Sequence, residues 1–179
     1  MKQSLLNQEL HLYGELLQTF VDTHQLPAEW FEAPDHFAIK CANFADYTET
    51  CQMMQPRADS EGLWEIQLDG RRLGSARLAS SVLLAGHRFE WVEVMQPRPT
   101  KETSNAFVEH TEFFFPDFES VLKTLSAKGI AATIQKNPGH AWVNIVIDNN
   151  GRELKINDRP LRDVVVIEKA EGKLSKILL

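Results

Sequence analysis

At 179 residues the chain can build one sizeable hydrophobic core, or two small modules fused into one domain. Hydrophobic residues make up 43% of it and charged residues 25%, proportions typical of a soluble globular protein and unlike those of a disordered or membrane-spanning chain. A net charge of -6 with scattered arginines argues against a nucleic-acid partner, and the polar start of the chain carries no secretory signal, so we expect a cytoplasmic protein without a membrane partner.

The first predicted element is an amphipathic helix. Apolar residues recur at helical spacing over residues 4–25, and the helix should end near Leu26-Pro27. We interpret residues 1–30 as an N-terminal helical extension and residues 31–179 as a single domain.

Residues 35–95 predict a first module. It begins with a strand from His36 to Lys40 or Cys41, followed by a helix that Asn43 opens as a good N-cap residue. A hairpin then turns at Asp69-Gly70, with its second strand from Leu73 to Leu78, and a last strand covers residues 87–95.

A second module over residues 107–165 follows a linker over residues 96–106 and repeats the same order. Each module therefore has the order βαβββ, which predicts an α+β fold. Cys41 and Cys51 match no metal-binding spacing, and we expect two buried, reduced thiols. The elements predicted in the second module are a strand at 107–115, a helix at 117–128, and strands at 131–136, 141–148 and 152–157.

One short pattern occurs once in each module. Asp35-His36 is followed seven residues after the histidine by Asn43-Phe44, and Glu109-His110 is followed at the same distance by Asp117-Phe118. Histidine is the commonest side-chain metal ligand, so its presence at two equivalent places predicts a site at the junction of the modules.

Strand alternation indicates which side chains share a face with the histidines. Residues two apart lie on one face of a strand, which groups His110 with Glu112. On the strand at 87–95 the same rule favours Glu93 over Glu90 for the concave surface that carries both histidines. Trp91 and Phe89 should share that surface with Glu93, although both can equally pack in the core. Glu153 and Lys155 should lie on the polar face of the last strand.

Four segments together resemble the vicinal oxygen chelate superfamily, and within it the bacterial YecM family. The resemblance implies two βαβββ modules that form a curved mixed sheet, as in glyoxalases and extradiol dioxygenases. It also implies a divalent metal ion held by His36, Glu93 and His110, with Glu153 as a fourth ligand. The segments that carry it are Asp35-His36-Phe37-Ala38-Ile39-Lys40-Cys41, Trp91-Val92-Glu93-Val94-Met95-Gln96-Pro97, Glu109-His110-Thr111-Glu112 and Leu154-Lys155-Ile156.

Such a ligand set suits Zn, Ni, Mn or Fe and leaves coordination positions free for a substrate. Glu112 or Glu153 can then act as the base that removes a proton, or can orient a histidine. In the alternative without metal, the histidines pair with Glu93, Glu112 or Glu153 and hold no ion.

Two functional hypotheses follow. The first is a metal-dependent isomerase, lyase or oxygenase acting on a small oxygen-rich metabolite, and the second is a non-catalytic protein that binds or sequesters a small ligand. The pattern predicts no oligomeric state. Candidate substrate-binding residues are Lys40, Arg72, Arg77 and Lys155 for an anionic group, which can equally be solvated strand ends, and Trp91 for a wall of the site, which can equally be core.

Overall fold

Two neighbouring strands, β1 (Pro34–Lys40) and β5 (Phe107–Phe114), pair antiparallel in the middle of one curved mixed sheet. The structure, a computed structural model, describes residues 1–137 and 140–177, so residues 178 and 179 of the predicted domain lie outside the described residues. Within the described ranges the sheet has nine strands. The other seven are β2 (Trp64–Leu68), β3 (Arg71–Leu84), β4 (His87–Met95), β6 (Ala132–Asn137), β7 (His140–Val146), β8 (Glu153–Asn157) and β9 (Ser175–Lys176). Their order across the sheet is β6-β7-β8-β5-β1-β4-β3-β2-β9.

The two halves of the sheet are built alike. Each module contributes four strands, and in each the first strand pairs parallel with the last, β1 with β4 and β5 with β8. The predicted α+β fold of two βαβββ modules is therefore confirmed. The α-helices are α1 (Gln3–His24), α2 (Phe44–Met54), α3 (Phe118–Ala127) and α4 (Leu161–Ala170).

The repeated Asn-Phe and Asp-Phe pairs mark where α2 and α3 begin. The Asn43 side chain accepts a hydrogen bond from the Asp46 amide at 3.0 Å, and the Asp117 side chain accepts one from the Ser120 amide at 3.0 Å. Both satisfy an amide that the first helical turn leaves without a partner. Each first strand is thus followed by a capped helix in both modules.

The first module contains one hairpin turn more than the sequence predicts. At the predicted turn, Asp69 and Gly70 both adopt positive φ, 51° and 74°, as a two-residue type I′ turn requires. β3 continues to Leu84, six residues past the predicted strand end at Leu78, and a second turn with positive φ at Ala85 and Gly86 leads into β4. Cys41 and Cys51 are free and buried, as expected.

An irregularity in the pairing of β3 with β4 changes the face on which one aromatic residue lies. The register shifts between Arg77 and Val82. Phe89 and Val92 are consequently both fully buried, although they lie three residues apart on one strand. The expectation that Phe89 lines the concave surface is wrong, because its ring packs edge-on against Phe37 and Phe113 in the core.

α4 and β9 have no counterpart in the sequence prediction. The run Val164-Val165-Val166-Ile167 consists of β-branched residues, which have low helix propensity and favour strands. The helix forms nonetheless, with Pro160 before its first residue, Asp163 in its first turn and Lys169 in its last. Leu161 and Val164 of α4 cover the face of the sheet that carries His36.

α1 packs against the sheet through Leu6, Tyr13 and Leu17, which are almost wholly buried. The Tyr13 hydroxyl accepts a hydrogen bond from the Thr111 amide of β5 at 2.9 Å and donates one to the Glu153 carbonyl of β8. Among the described residues, no helix is both long and apolar enough to cross a lipid bilayer.

The Tyr13 hydroxyl provides a test of how firmly α1 is attached to the sheet. We expect Tyr13→Phe to lower the free energy of unfolding by about 1 to 3 kcal/mol, because it leaves the buried Thr111 amide without its hydroxyl acceptor. Urea denaturation measures the change. Gln18→Ala, at a position exposed on α1, serves as the control, and equal stability of the two variants would contradict the assignment.

Candidate metal centre

His36 on β1 and His110 on β5 face each other across the pairing of the two modules. Their ring centroids lie 5.7 Å apart, and their exposed fractions are only 4% and 1%. In the register of the two strands, His110 lies opposite Ala38 and His36 opposite Glu112. The antiparallel pairing therefore brings the two equivalent histidines together.

The acidic residue before each histidine holds its ring. The Nδ1 atom of His36 lies 3.0 Å from the Asp35 carboxylate, and that of His110 lies 3.2 Å from the Glu109 carboxylate. A carboxylate at Nδ1 fixes the tautomer in which Nε2 is free to bind a metal ion. Asp35 and Glu109 were not assigned a role from the sequence, although the repeated acid-His pair was the signal for it.

Two register shifts explain how neighbouring residues on a strand reach the same site. One falls between Pro34 and His36, at Asp35, and the other lies opposite Ala38 and Ile39, at Glu109. At a β-bulge one extra residue interrupts the alternation and re-aims a side chain. Each bulge thus lets the carboxylate contact the ring that follows it.

Glu112 completes a group of three metal-ligating side chains. Its Oε1 atom lies 3.4 Å from Nε2 of His110 and 3.8 Å from Nε2 of His36. One ligand atom from each of the three residues lies within 4.8 Å of the other two. Atoms bound to one ion lie within about 4.5 Å of each other, since each is roughly 2.0 to 2.3 Å from it. The group fits a divalent ion after a small side-chain movement.

An ammonium group lies beside these ligand atoms. The Lys155 Nζ atom is 3.2 Å from Nε2 of His110 and 3.5 Å from Oε1 of Glu112. Its positive charge is therefore close to where the ion would bind. A metal ion and this position of Lys155 exclude each other.

The charges of the buried side chains at this site shift one another's pKa values. Burial alone would lower the pKa of His36, but the Glu112 carboxylate and the hydrogen bond to Asp35 raise it to about 9. Burial opposes ionisation of Glu112, yet the charges of His36 and Lys155 hold its pKa well below the usual range. Without metal, His36 is consequently protonated at neutral pH and Glu112 is ionised, so a metal ion must displace the proton of His36.

Asp35 also connects the site to α4. Its two carboxylate oxygens accept hydrogen bonds from the Leu161 amide at 3.0 Å, in the first turn of that helix. The Asn157 side chain donates to Asp35 at 2.8 Å and to Glu112 at 2.9 Å. Every oxygen of these two buried carboxylates therefore has a polar neighbour.

The other predicted carboxylates lie in two different places. Glu93 of β4 lines the same cavity as His36 but does not belong to the group of three. Glu153 is opposite His110 in the register of β5 and β8, as alternation predicts. It lines a separate pocket beside α1, with Phe20 and Ala132.

The structure separates the predicted substrate-binding residues. Lys155 lines the cavity, and Lys40 reaches the site indirectly through its ion pair with Glu109 at 2.8 Å. Arg72 lies outside it, paired with Glu65 and stacked on Phe44. Arg77 pairs with Glu90 at 3.0 Å, and Arg77 and Trp91 together line a neighbouring pocket against α4.

The cavity above the histidines has a volume of about 190 Å³. Drug-sized ligands occupy pockets of roughly 300 to 1,000 Å³, so this cavity suits a smaller molecule. Apolar side chains of β3, β7 and α4, including Leu73, Trp142 and Val164, form part of its wall. Charged side chains of β1, β4, β5 and β8 also line this cavity.

Comparison with known proteins identifies the family to which the chain belongs and finds solved structures with a similar fold. The family model described as YecM protein matches residues 2–165. No curated protein sequence matches the chain. Among solved structures, the structural-genomics protein EC4020 is similar with a TM-score of 0.69 and 18% identity, covering 92% of this chain and 90% of its own. Methylmalonyl-CoA epimerase from Mycobacterium tuberculosis has a TM-score of 0.53 and 13% identity, covering 80% and 99% respectively.

The raised pKa of His36 predicts how stability depends on pH in metal-free protein. The folded-state pKa of about 9 exceeds the ordinary value of 6.5, so the stabilisation is complete below pH 6.5 and is lost as pH rises through 9. We expect the free energy of unfolding to fall by about 3 kcal/mol over that window. Urea denaturation in the presence of EDTA, at several pH values, measures it.

His36→Gln should abolish this decline, whereas His11→Gln, at an exposed position on α1, should retain it. A wild-type profile that is flat from pH 6.5 to 9 would contradict the charge state assigned to His36.

Proposed function

Because the chain belongs to the YecM family of the vicinal oxygen chelate superfamily, we propose that it binds one divalent metal ion and acts on a small oxygen-rich metabolite. The observation that carries the proposal is the group of His36, His110 and Glu112, in which a carboxylate orients each imidazole. Two histidines and one carboxylate leave coordination positions free for a substrate. Zn, Ni, Mn and Fe all suit these donors.

The proposed ligand set differs from the one that the family resemblance implies. Glu112 takes the position of the carboxylate ligand, because its Oε1 atom is within 3.8 Å of both histidine Nε2 atoms. Glu153 is left out, since it lines the pocket beside α1. Glu93 lines the cavity without an ion pair among the described residues, which leaves its carboxylate available to move a proton.

Each residue of the site then has a defined task. A bound divalent ion would polarise two neighbouring oxygens of the substrate and stabilise negative charge on them. Asp35 and Glu109 keep the Nε2 atoms of the histidines directed at the site. Glu93 accepts a proton from a substrate carbon, and α4 limits the access of water. Isomerases, lyases and oxygenases can all use such an arrangement.

The position of Lys155 favours a second candidate function. Its ammonium, 3.2 Å from His110 and 3.5 Å from Glu112, supplies a positive charge where the first candidate needs an ion. With Lys155 in place, the cavity can bind an oxygen-rich ligand without metal and without catalysis. The alternative is therefore a protein that binds or sequesters a small ligand. A cytoplasmic location stays a prediction under both candidates.

Metal-binding measurements test whether Glu112 or Glu93 is the carboxylate ligand. We expect one divalent ion per chain in calorimetric titration of EDTA-treated, desalted protein, and a higher melting temperature with metal, since the ion binds only the folded state. His36→Ala, His110→Ala and Glu112→Gln should each lose this binding because each removes a ligand atom. Glu93→Gln and the control His11→Ala should retain it. Loss of metal in Glu93→Gln would instead make Glu93 a ligand, as the resemblance implies.

Turnover is tested on the same metal-loaded proteins with a panel of small 2-oxo, 2-hydroxy and catechol-like compounds. If the wild type converts one of them, Glu93→Gln should lose about 10² to 10⁴ in turnover, the usual contribution of a general base, while Glu153→Gln should keep it. Binding of a compound without conversion by the wild type would favour the sequestering function.

The charge of Lys155 gives an independent test of where the ion binds. We expect Lys155→Met to tighten metal binding by at least about tenfold, because it removes a positive charge that repels a dication at close range. Calorimetry with Zn and Mn measures the dissociation constants. Lys169→Met removes an ammonium that pairs with Glu61 outside the cavity and serves as the matched control. Equal affinity of the two variants would contradict the proposed position of the ion.

A further inference from the structure

Two arginines line the cavity above the histidines and have no described partner. Arg71 and Arg159 contribute to its wall, yet neither forms an ion pair or a side-chain hydrogen bond with any residue in the ranges 1–137 and 140–177. The Nε atom of Arg71 is buried and has no acceptor within the described part of the chain. Lys155, the third cation of the wall, is already engaged with Glu112 and His110.

Two arginines close to Arg71 and Arg159 in the chain do have carboxylate partners, whereas Arg57, elsewhere in the described residues, also has a buried nitrogen without a partner. Arg72, the next residue on β3, pairs with Glu65 at 3.3 Å on the opposite face of the strand. Arg162, three residues after Arg159, pairs with Asp163 at 3.3 Å. A buried N–H without an acceptor costs free energy, and native structures leave few such groups, so the Arg71 side chain calls for a missing acceptor.

The two arginines lie on opposite flanks of the three central strands that separate them in the strand order. Arg71 begins β3, and Arg159 follows β8, with β5, β1 and β4 between those strands. The histidines lie on β1 and β5, in the middle. His36, Arg71 and Arg159 all line this cavity of about 190 Å³, so a ligand that fills it contacts His36 and the cationic part of the wall.

Glu93 is a carboxylate of the cavity without an ion pair among the described residues, whereas three other carboxylates of the cavity are occupied. Asp35, Glu109 and Glu112 each contact a histidine, and Glu112 also contacts Lys155. Burial raises the pKa of Glu168, which favours its uncharged form. The guanidinium groups thus have no described carboxylate partner, and an anionic ligand group can supply one.

We propose that Arg71 and Arg159 bind the anionic group of a small acid, a carboxylate or a phosphate, whose oxygen-bearing end lies against His36 and His110. Guanidinium groups bind both anions through pairs of parallel hydrogen bonds. The placement of the oxygen-bearing end rests on the proposed function, whereas binding of the anionic group does not. The substrate or ligand class is consequently a small organic acid.

The test uses the full chain, treated with EDTA and desalted so that no metal contributes. Inorganic phosphate and malonate are titrated by calorimetry at constant ionic strength, with glycerol as the uncharged comparison, and the melting temperature is followed in parallel. We expect the wild type to bind at least one anion and not glycerol. Arg71→Gln and Arg159→Gln should each weaken that binding by at least about tenfold, because a charge-assisted hydrogen-bond pair is lost.

Two matched controls come from the neighbouring arginines. Arg72→Gln and Arg162→Gln should bind the anions as the wild type does, because both side chains already pair with carboxylates outside the cavity. Arg71→Lys and Arg159→Lys keep the charge with fewer donors and should bind with intermediate affinity, which separates recognition from misfolding. A preference for phosphate over malonate, or the reverse, identifies the anionic group.

Binding that is equal in all four Gln variants, or that is absent in the wild type, would overturn the proposal. The outcome is independent of the metal test. Arginine-dependent anion binding in a protein that takes up no divalent ion would remove the metal centre and leave the acid-binding site. Metal uptake without anion binding would remove the acid-binding site and leave the metal centre.

Discussion

The antiparallel pairing of β1 with β5 is the constraint on which the rest of the site depends. Each strand is the first of its module, and each carries a histidine after an acidic residue. Since the strands are neighbours, the histidines are brought to a ring separation of 5.7 Å without any loop having to close over them. The bulges at Asp35 and Glu109 then turn both acids toward the rings that they orient. Rigid strands, not mobile loops, hold the imidazoles.

The order of elements and the face of the histidines could be predicted from the sequence because both rest on local periodicity. Alternation along regular strands correctly grouped His110 with Glu112. It failed for Phe89, where the pairing of β3 and β4 is irregular, because a bulge is a property of two strands and leaves little trace in one. The contacts of Asp35 and Glu109 were missed for the same reason.

Other features depended on tertiary packing. The β-branched run in α4 disfavours a helix locally, and its contact with the cavity outweighs that preference. On β3 the sequence offered Arg71 and Arg72 side by side, and only the register decides that Arg71 faces the cavity while Arg72 pairs with Glu65. A one-residue difference in register reverses the face of every side chain on a strand.

The two modules share a backbone plan but differ in charge. On β4, Glu93 lies two residues after Trp91, the register partner of His36. On β8, Lys155 lies two residues after Glu153, the register partner of His110. The position that holds a carboxylate in one module therefore holds an ammonium in the other. Two similar halves of the sheet thus enclose a site whose charges are distributed asymmetrically.

The carboxylate of Asp35 has a consequence for the way this site can change. It holds the ring of His36 and the first turn of α4 at the same time, through Nδ1 and the Leu161 amide. The Asp35 side chain thus contacts both the helix that covers the cavity and the His36 ring that lines it. By thermodynamic reciprocity, if a molecule bound against α4 changes the affinity of a second molecule at His36, the second changes the affinity of the first by the same factor. Asp35 is therefore the residue through which a change in the position of α4 reaches the ring of His36.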